Sequence, residues 1–380
     1  MAAMIAQRAR LLYARAVVVG ERGDPIARSL VLEGPRSLSL KEEPAHDLCP
    51  RDIRVRALLS GISHGTELSL YRGSSAFHDY YFDWELRAFV RPDPPRPAYP
   101  ATLGYEMVGV VEEAGAAVSE VVAGDLVHVG MPHREETMVD VDAALRATYP
   151  LVRLPTSTPS TRWLFVSLGM VALVALHDAR VKLGDHVAVM GLGAIGLLVV
   201  QLARLAGGAS VTAVDPVESR RELAREFGAA QVLDPADVAG GIGPAIKRLG
   251  GRGVDVAIET SGSTSALQDA ISATGLGGTV VTVGFYQGGA PELRLGQEWH
   301  HNRLEMVSSM GAWGAPHRSH PAWDRLRIAR TVVGLLSSDQ LSVDALPIKY
   351  FPFEEAVDAY DWLDEHPDEA IKVALTYGGE

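Results

Sequence analysis

The stretch His186–Asp215, HVAVMGLGAIGLLVVQLARLAGGASVTAVD, decides how this chain is read. A short apolar run, Val187 to Met190, fits a buried parallel strand. Gly191-Leu192-Gly193-Ala194-Ile195-Gly196 then forms a full G-x-G-x-x-G. A helix is predicted next, with Leu197, Val200, Leu202 and Leu205 as its apolar face and Gly207-Gly208 as its stop. Val211 to Val214 make a second strand that ends at Asp215. The three glycines serve different ends. Gly191 allows the tight turn, Gly193 the close approach of backbone to a pyrophosphate, and Gly196 the close packing of helix on strand. The pyrophosphate would sit on the free N–H groups of the helix N-terminus.

Strand, glycine turn, helix, strand and acid in this order predict a dinucleotide site. Asp215 lies 19 residues past Gly196, where an acid accepts the ribose hydroxyls of an adenosine. A carboxylate there repels a 2′-phosphate, so NAD is expected ahead of NADP. Arg220 and Arg221 pull the other way, since an arginine at this place can meet a phosphate. The alternative for both is solvated helix-face charge or stacking on adenine.

The chain has 380 residues, room for two domains. Its hydrophobic content of 47% and charged content of 22% are those of an ordinary globular protein. A net charge of −12 argues against a nucleic-acid or anionic-membrane partner. The single cysteine, Cys49, excludes an internal disulfide framework and a multi-cysteine zinc lobe, and fits a reducing cytoplasm. No apolar run reaches the roughly 18 residues of a membrane span. Met1 to Val19, interrupted by Arg8, Arg10 and Arg15, lacks the apolar core of a signal peptide and reads as a short extension, one added strand or a flexible arm.

From Arg28 the runs SLVLEG, SLSLKEE and DIRVRALLSG read as short strands, as do MVGVVEEAG and DLVHVG after a proline-rich passage, Tyr71 to Pro100. Together they predict an antiparallel, barrel-like domain. Arg162 to Ala179 reads as a helix leading into the nucleotide domain, where VDVAIETSG and GGTVVTVGF supply two further strand-then-glycine units. VDAYDWLDE and IKVALTY read as a closing helix and strand. The expected division is an extension over 1–28, a barrel domain over 29–178 and 314–380, and a dinucleotide-binding domain over 179–313. The fold class is α/β, a doubly wound parallel sheet beside a β-barrel.

This order, with GTELSLYRG, PATLGYEMVGVVEEAG, AGDLVHVG, VMGLGAIG, VDVAIETSG and GGTVVTVGF, resembles the medium-chain dehydrogenase/reductase superfamily from about Ser29 onward. The resemblance implies a GroES-like catalytic domain, a Rossmann cofactor domain, an active site in the cleft between them and a homodimer. GISHGTE, LGYE and HHNRLEMVSSM look most like the branch of bacteriochlorophyllide dehydrogenases and related zinc-type alcohol dehydrogenases. In the family, positions such as Thr260, Ser261, Gly284 and Phe285, at the ends of Rossmann strands, border the nicotinamide ribose and carboxamide.

Zinc members of the family carry Cys-Gly-Thr-Asp in the first catalytic loop, Gly-His-Glu in the second, and Cys, Asp or Glu at the third ligand. Here the loops read His64-Gly65-Thr66-Glu67 and Gly104-Tyr105-Glu106, and counting back from His177 puts the third position on Met170. Catalytic zinc takes three N, S⁻ or O⁻ donors, and a thioether is a poor one, so no zinc is expected. Another group must then handle the substrate's proton. Tyr105 is expected to hydrogen-bond the reacting oxygen, His64 to tune or relay by titrating near neutrality, and Thr66 to pass the proton outward. The alternative leaves Tyr105 as core and His64 as a loop-bracing residue. Glu106 is expected to orient the loops.

His300-His301-Asn302-Arg303 reach either the cleft or the surface. His128 and His133 match no zinc spacing. Phe77, Tyr80, Tyr81, Phe82 and Trp84 wall a substrate pocket or, as the favoured reading, pack within the barrel. The function expected is a zinc-independent, NAD(H)-preferring oxidoreductase that interconverts a secondary alcohol and a ketone of a small-molecule substrate. The alternatives are an NAD(P)H-dependent enone or quinone reductase and, in another class, a nucleotide-binding sensor or scaffold without turnover.

Overall fold

The computed structural model describes residues 27–44, 46–94, 97–158, 160–310 and 322–378. The extension read over Met1 to Val19, Trp313 and the expected boundary at 313/314 lie outside the described residues.

The barrel domain is built around the strand Asp52–Ile62. Ile53, Val55 and Ala57 point inward and are fully buried. Arg54 and Arg56 alternate outward to Glu136 at 2.7 Å and Glu112 at 2.6 Å, the period of two that a half-buried strand imposes. Met107–Ala114 and Glu136–Asp140 pair antiparallel with it, and Leu126–Val129 and Val152–Arg153 continue the sheet. Its remaining partner is Lys372–Thr376, from the far end of the chain. The return of that strand makes the domain discontinuous in sequence, and it places Lys372 beneath the first catalytic loop.

The second sheet is parallel and six-stranded. Its order is Gln231–Leu233, Ser210–Val214, His186–Met190, Val254–Glu259, Thr274–Thr282, Glu305–Ser308. His186–Met190 is buried from Val187 onward because helices cover both faces. The fingerprint helix, Ala194–Leu205, buries Leu197, Val200 and Leu202, and Gly207 takes a positive φ of 95° just past its end. Leu205 departs from the expected apolar face. It sits in the last turn, 49% exposed.

The segment read as one helix from Arg162 is a 3₁₀ turn, Ser160–Phe165, followed by an α-helix, Val166–Ala179. Arg162 is drawn aside to Asp344 at 2.7 Å and to the Leu336 carbonyl at 3.1 Å, which holds the first turns out of the α-helical path. Together the two pieces, Ser160–Ala179, are long and apolar enough by length and composition to cross a membrane, although Arg162 and Asp178 interrupt the apolar run. Two-thirds of that window is buried inside the protein, because the helix packs between the parallel sheet and the helix Arg325–Ser337. Val332 lies so close to Gly169 that a Cβ there would come within 2.6 Å of it. It is a core helix.

The aromatic insertion also departs from the favoured reading. Phe77, Tyr80, Tyr81, Phe82 and Trp84 are half-buried or exposed and join none of the core clusters. Tyr81–Asp83 and Ala88–Val90 pair as a separate hairpin that stands off the barrel.

Candidate active site

At the nucleotide end, the three fingerprint glycines have three different surroundings. Gly191 has a φ of 86°, and a Cβ there would lie 2.8 Å from Ser261. Gly196 is pressed against the Gly191 carbonyl, so any side chain would push helix and strand apart. Gly193 has open space where a Cβ would be, at the N-terminus of a twelve-residue helix. The open approach to free N–H groups fits a pyrophosphate.

Asp215 is buried and accepts the N–H of Leu192 at 2.7 Å and of Val217 at 2.8 Å. A carboxylate has about four acceptor positions, so capacity remains for ribose hydroxyls. Arg221 is committed to Asp234 at 2.8 Å and to the carbonyls of Asp215 and Pro216. Arg220 reaches across to the barrel domain, donating to the Pro367 carbonyl at 2.8 Å and pairing with Asp368 at 3.3 Å. Neither arginine points a free guanidinium fork at Asp215.

Thr260 braces the turn. Its hydroxyl donates to the carbonyls of Gly191 at 2.8 Å and Met190 at 3.1 Å. Ser261 N–H and hydroxyl both donate to Glu259, a fully buried carboxylate that also accepts from Tyr286. Gly284 lies against Gly262 too closely for any side chain, and Phe285 projects its ring toward the barrel domain.

At the barrel side, the loop Ser63–Glu67 and the loop Gly104–Glu106 come together. The Ser63 and Tyr105 side chains are hydrogen-bonded. Tyr105 stacks on Tyr149, with ring centroids 4.9 Å apart and planes 12° apart. Burial pushes the Tyr105 hydroxyl well above its ordinary range, and the neighbouring Tyr149, Glu106 and Glu67 push further. It stays protonated. His64 is the converse case. Its Nε2 is sealed from solvent with no hydrogen-bond partner among the described residues. Burial, then the charges of Lys372 and Arg220, push its pKa down to about 3. The expectation that His64 titrates near neutrality is therefore corrected, because desolvation keeps the imidazole neutral. Thr66 is exposed at the start of the short helix Thr66–Tyr71.

Glu67, His133, Tyr360 and Lys372, which the sequence reading left without a role, bond to these loops or to Glu106. Glu67, almost fully buried, accepts from Ser63 N–H at 2.9 Å, from His133 Nε2 at 2.9 Å, and from the Tyr360 hydroxyl. Lys372 and Glu106 form an ion pair with both side chains at or below 1% exposure, and Gly61 leaves room for it. Glu67 stands inside the quoted HGTE motif, so its place was visible. Nothing in IKVALTY marked its lysine as buried. His128 is buried against Ser167 at 3.0 Å, apart from the Glu67–His133 group. His300 and His301 are exposed, as the surface alternative had it.

Residues 194–327 match the zinc-binding dehydrogenase family, and residues 48–144 match the alcohol dehydrogenase GroES-like domain. The chain is 33% identical over 360 residues to the D-guloside 3-dehydrogenases of Shigella flexneri and Escherichia coli strain K12, covering 92% of this chain and 100% of each relative. It is 30% identical over 278 residues to (R,R)-butanediol dehydrogenase of Bacillus subtilis, covering 66% of this chain and 74% of that relative. The crystal structure of 2R,3R-butanediol dehydrogenase from Bacillus subtilis has the same fold, with a TM-score of 0.74 at 23% identity over 93% of this chain and 100% of that one. The chain belongs to the zinc-type, alcohol dehydrogenase-like medium-chain dehydrogenase/reductases. It is an oxidoreductase with a GroES-like domain and a Rossmann-like parallel sheet.

The family name implies zinc, and the donors of this dehydrogenase do not fit it. The three ligand positions offer a neutral imidazole at His64, a protonated phenol at Tyr105 and the thioether of Met170, whose residue is 5% exposed within the helix Val166–Ala179. Glu106, the nearest carboxylate in sequence, is already bound by the Lys372 ammonium, and an ammonium beside the site repels a dication. Among the described residues, no group of three or more His, Cys, Asp or Glu could hold a metal. The nucleotide end does fit a dinucleotide.

Proposed function

We propose that this dehydrogenase is a zinc-independent, NAD(H)-preferring oxidoreductase that interconverts a secondary alcohol of a polyol or sugar with the corresponding ketone. The observation that carries the reading is the pairing, on adjoining loops, of a phenol held protonated with a neutral imidazole whose buried Nε2 has no partner among the described residues. The nicotinamide supplies the hydride acceptor. Tyr105 donates a hydrogen bond to the reacting oxygen, and His64 accepts one from the substrate hydroxyl, whose proton leaves outward to water as the alcohol is oxidised and returns on reduction. Thr66, exposed beside them, connects this pair to solvent. A hydroxyl that must lose a proton as its carbon loses hydride calls for an acceptor and a donor at one oxygen, whereas enone reduction calls for the donor alone. The free acceptor on His64 therefore favours the alcohol–ketone reaction, and the named activities of the similar proteins, on a guloside, butanediol and sorbitol, support it.

The preference for NAD rests on buried Asp215, on the engagement of Arg220 with Pro367 and Asp368, and on that of Arg221 with Asp234. The cofactor contacts proposed are Gly191 to Gly196, Asp215, and the strand ends at Thr260, Ser261, Gly284 and Phe285. We divide the chain at 29–178 with 314–380 for the catalytic domain and 179–313 for the cofactor domain, place the protein in the cytoplasm, and group it with the bacteriochlorophyllide dehydrogenase-like branch on its HGTE and LGYE motifs. A homodimer is supported by Glu305–Ser308, whose outer edge pairs with no other strand among the described residues. Leu276 beside it is 79% exposed.

The test is turnover of NAD with a panel of polyols and glycosides, alongside NADH with matched ketones and enones. Tyr105→Phe is expected to cut turnover about a hundredfold while NADH binding stays intact. Unchanged turnover removes Tyr105 from the mechanism, and activity on the enone alone removes the alcohol–ketone reading.

A further inference from the structure

The turn that follows the barrel-domain helix Ala356–Glu365 is held from the other domain and itself holds His64. Arg220 lies in the Rossmann helix Glu218–Glu226, yet it donates to the Pro367 carbonyl at 2.8 Å and pairs with Asp368 at 3.3 Å. Two residues further on, the Ala370 backbone is hydrogen-bonded to the His64 ring. The chain is then fixed again, because Ile371 and Lys372 both donate their N–H to the Pro347 carbonyl, at 3.0 and 3.2 Å. The helix that carries Arg220 starts on the acid of the nucleotide end, since Val217 N–H at its cap donates to Asp215 at 2.8 Å.

The bond to Ala370 decides which nitrogen of His64 carries the proton. It favours the protonated ring, so the backbone group is the carbonyl and the ring donates to it. Nε2 is sealed from solvent and has no partner among the described residues, so the donor is Nδ1. A neutral imidazole has one N–H, and the nitrogen without it is the acceptor. Burial, then the charges of Lys372 and Arg220, keep the ring neutral, while Glu67 acts the other way. The Ala370 carbonyl thereby leaves the Nε2 lone pair for a substrate hydroxyl.

We propose that Arg220 is a positioning residue for His64: from the cofactor domain it holds the turn 367–370 where the Ala370 carbonyl keeps the proton on Nδ1 and leaves Nε2 open to the substrate hydroxyl. The proposal rests on the alcohol–ketone reading above. Without the clasp the carbonyl is no longer fixed, and the imidazole is free to carry its proton on either nitrogen. A ring with its proton on Nε2 cannot accept from the alcohol.

The experiment compares wild type, Arg220→Gln and Asp368→Lys. It measures kcat with NAD and whichever alcohol of the panel above turns over fastest, Kd for NADH, and the nitrogen NMR shifts of the His64 ring, assigned through their loss in His64→Gln. The wild type is expected to show the proton on Nδ1. Arg220→Gln is expected to lower kcat about tenfold, to hold Kd for NADH within about threefold, and to mix the two ring tautomers. Asp368 is 65% exposed, so its replacement leaves the core alone. Asp368→Lys repels Arg220 and opens the clasp while adding positive charge, which by itself keeps the imidazole neutral. Its kcat is expected to fall at least about threefold. Wild-type kcat in both variants, or ring shifts that do not move, overturns the proposal, as does a loss confined to NADH affinity. A wild type that oxidises no alcohol overturns the dehydrogenase reading, and the ring shifts still decide the positioning.

Discussion

His133 Nε2 lies 2.9 Å from Glu67 Oε2, with the two side chains 0% and 2% exposed. The carboxylate only accepts, so Nε2 donates to it, and Nδ1 lies 2.7 Å from the Ser60 hydroxyl. Ser60 in turn sits 2.7 Å from the Tyr377 hydroxyl. A buried chain of hydrogen bonds thus runs from the closing strand of the barrel to Ser63 N–H, the residue before His64. The catalytic loop is held from inside the domain.

Removing the acceptor at the centre of that chain strands several donors. Glu67→Ala is expected to cost about 3 kcal/mol or more in urea unfolding at pH 7, because His133, Tyr360 and Ser63 lose their shared partner in a dry site. Burial raises the Glu67 pKa, but His133, Tyr360 and the Ser63 N–H outweigh it and hold the carboxyl below its ordinary 4.5. The stability it contributes is therefore present above that value and lost as pH falls through it. A variant as stable as the wild type at both pH 7 and pH 4 would contradict this.

For His64 the linkage runs over a different window. The unfolded imidazole takes a proton near 6.5 and the folded one only near 3. Stability present above 6.5 is lost as pH falls from there toward 3. The expected profile of kcat has no inflection from His64 between pH 5 and 8. An inflection near 6.5 that disappears in His64→Gln would show the imidazole to be solvated and its neutral, accepting role to be wrong.

Lys372 and Glu106 stand or fall together. Lys372→Met should destabilise by about 3–5 kcal/mol, since it leaves a buried carboxylate with no countercharge, and Glu106→Leu in the same background should recover most of the loss. Guanidinium unfolding of the two variants decides it. A single variant that unfolds at the wild-type midpoint would mean that water reaches Glu106.

Cofactor choice is testable by fluorescence titration. NADH is expected to bind at least about tenfold tighter than NADPH, because Asp215 repels a 2′-phosphate. Asp215→Ser should narrow the gap mainly by weakening NADH. Equal affinities in the wild type would move Arg220 or Arg221 back to the adenosine end.

The features legible in the chain alone are the local ones. The fingerprint, the strands of both sheets, the helix stop at Gly207 and the replacement of the usual ligands at His64, Tyr105 and Met170 follow from short-range pattern. Period, turn chemistry and residue type need no partner to be read. Other features exist only once residues distant in sequence have met. Lys372 reaches Glu106 across 266 residues and His133 reaches Glu67 across 66, so neither pairing has a local signature. The same holds for charge state. His64 looked like a group that titrates near neutrality, and burial together with the charges of Lys372 and Arg220 keeps it neutral. The aromatic insertion read as packing for the same reason. Composition records that Phe77 is apolar, while only the meeting of two domains shows that its ring faces Phe285.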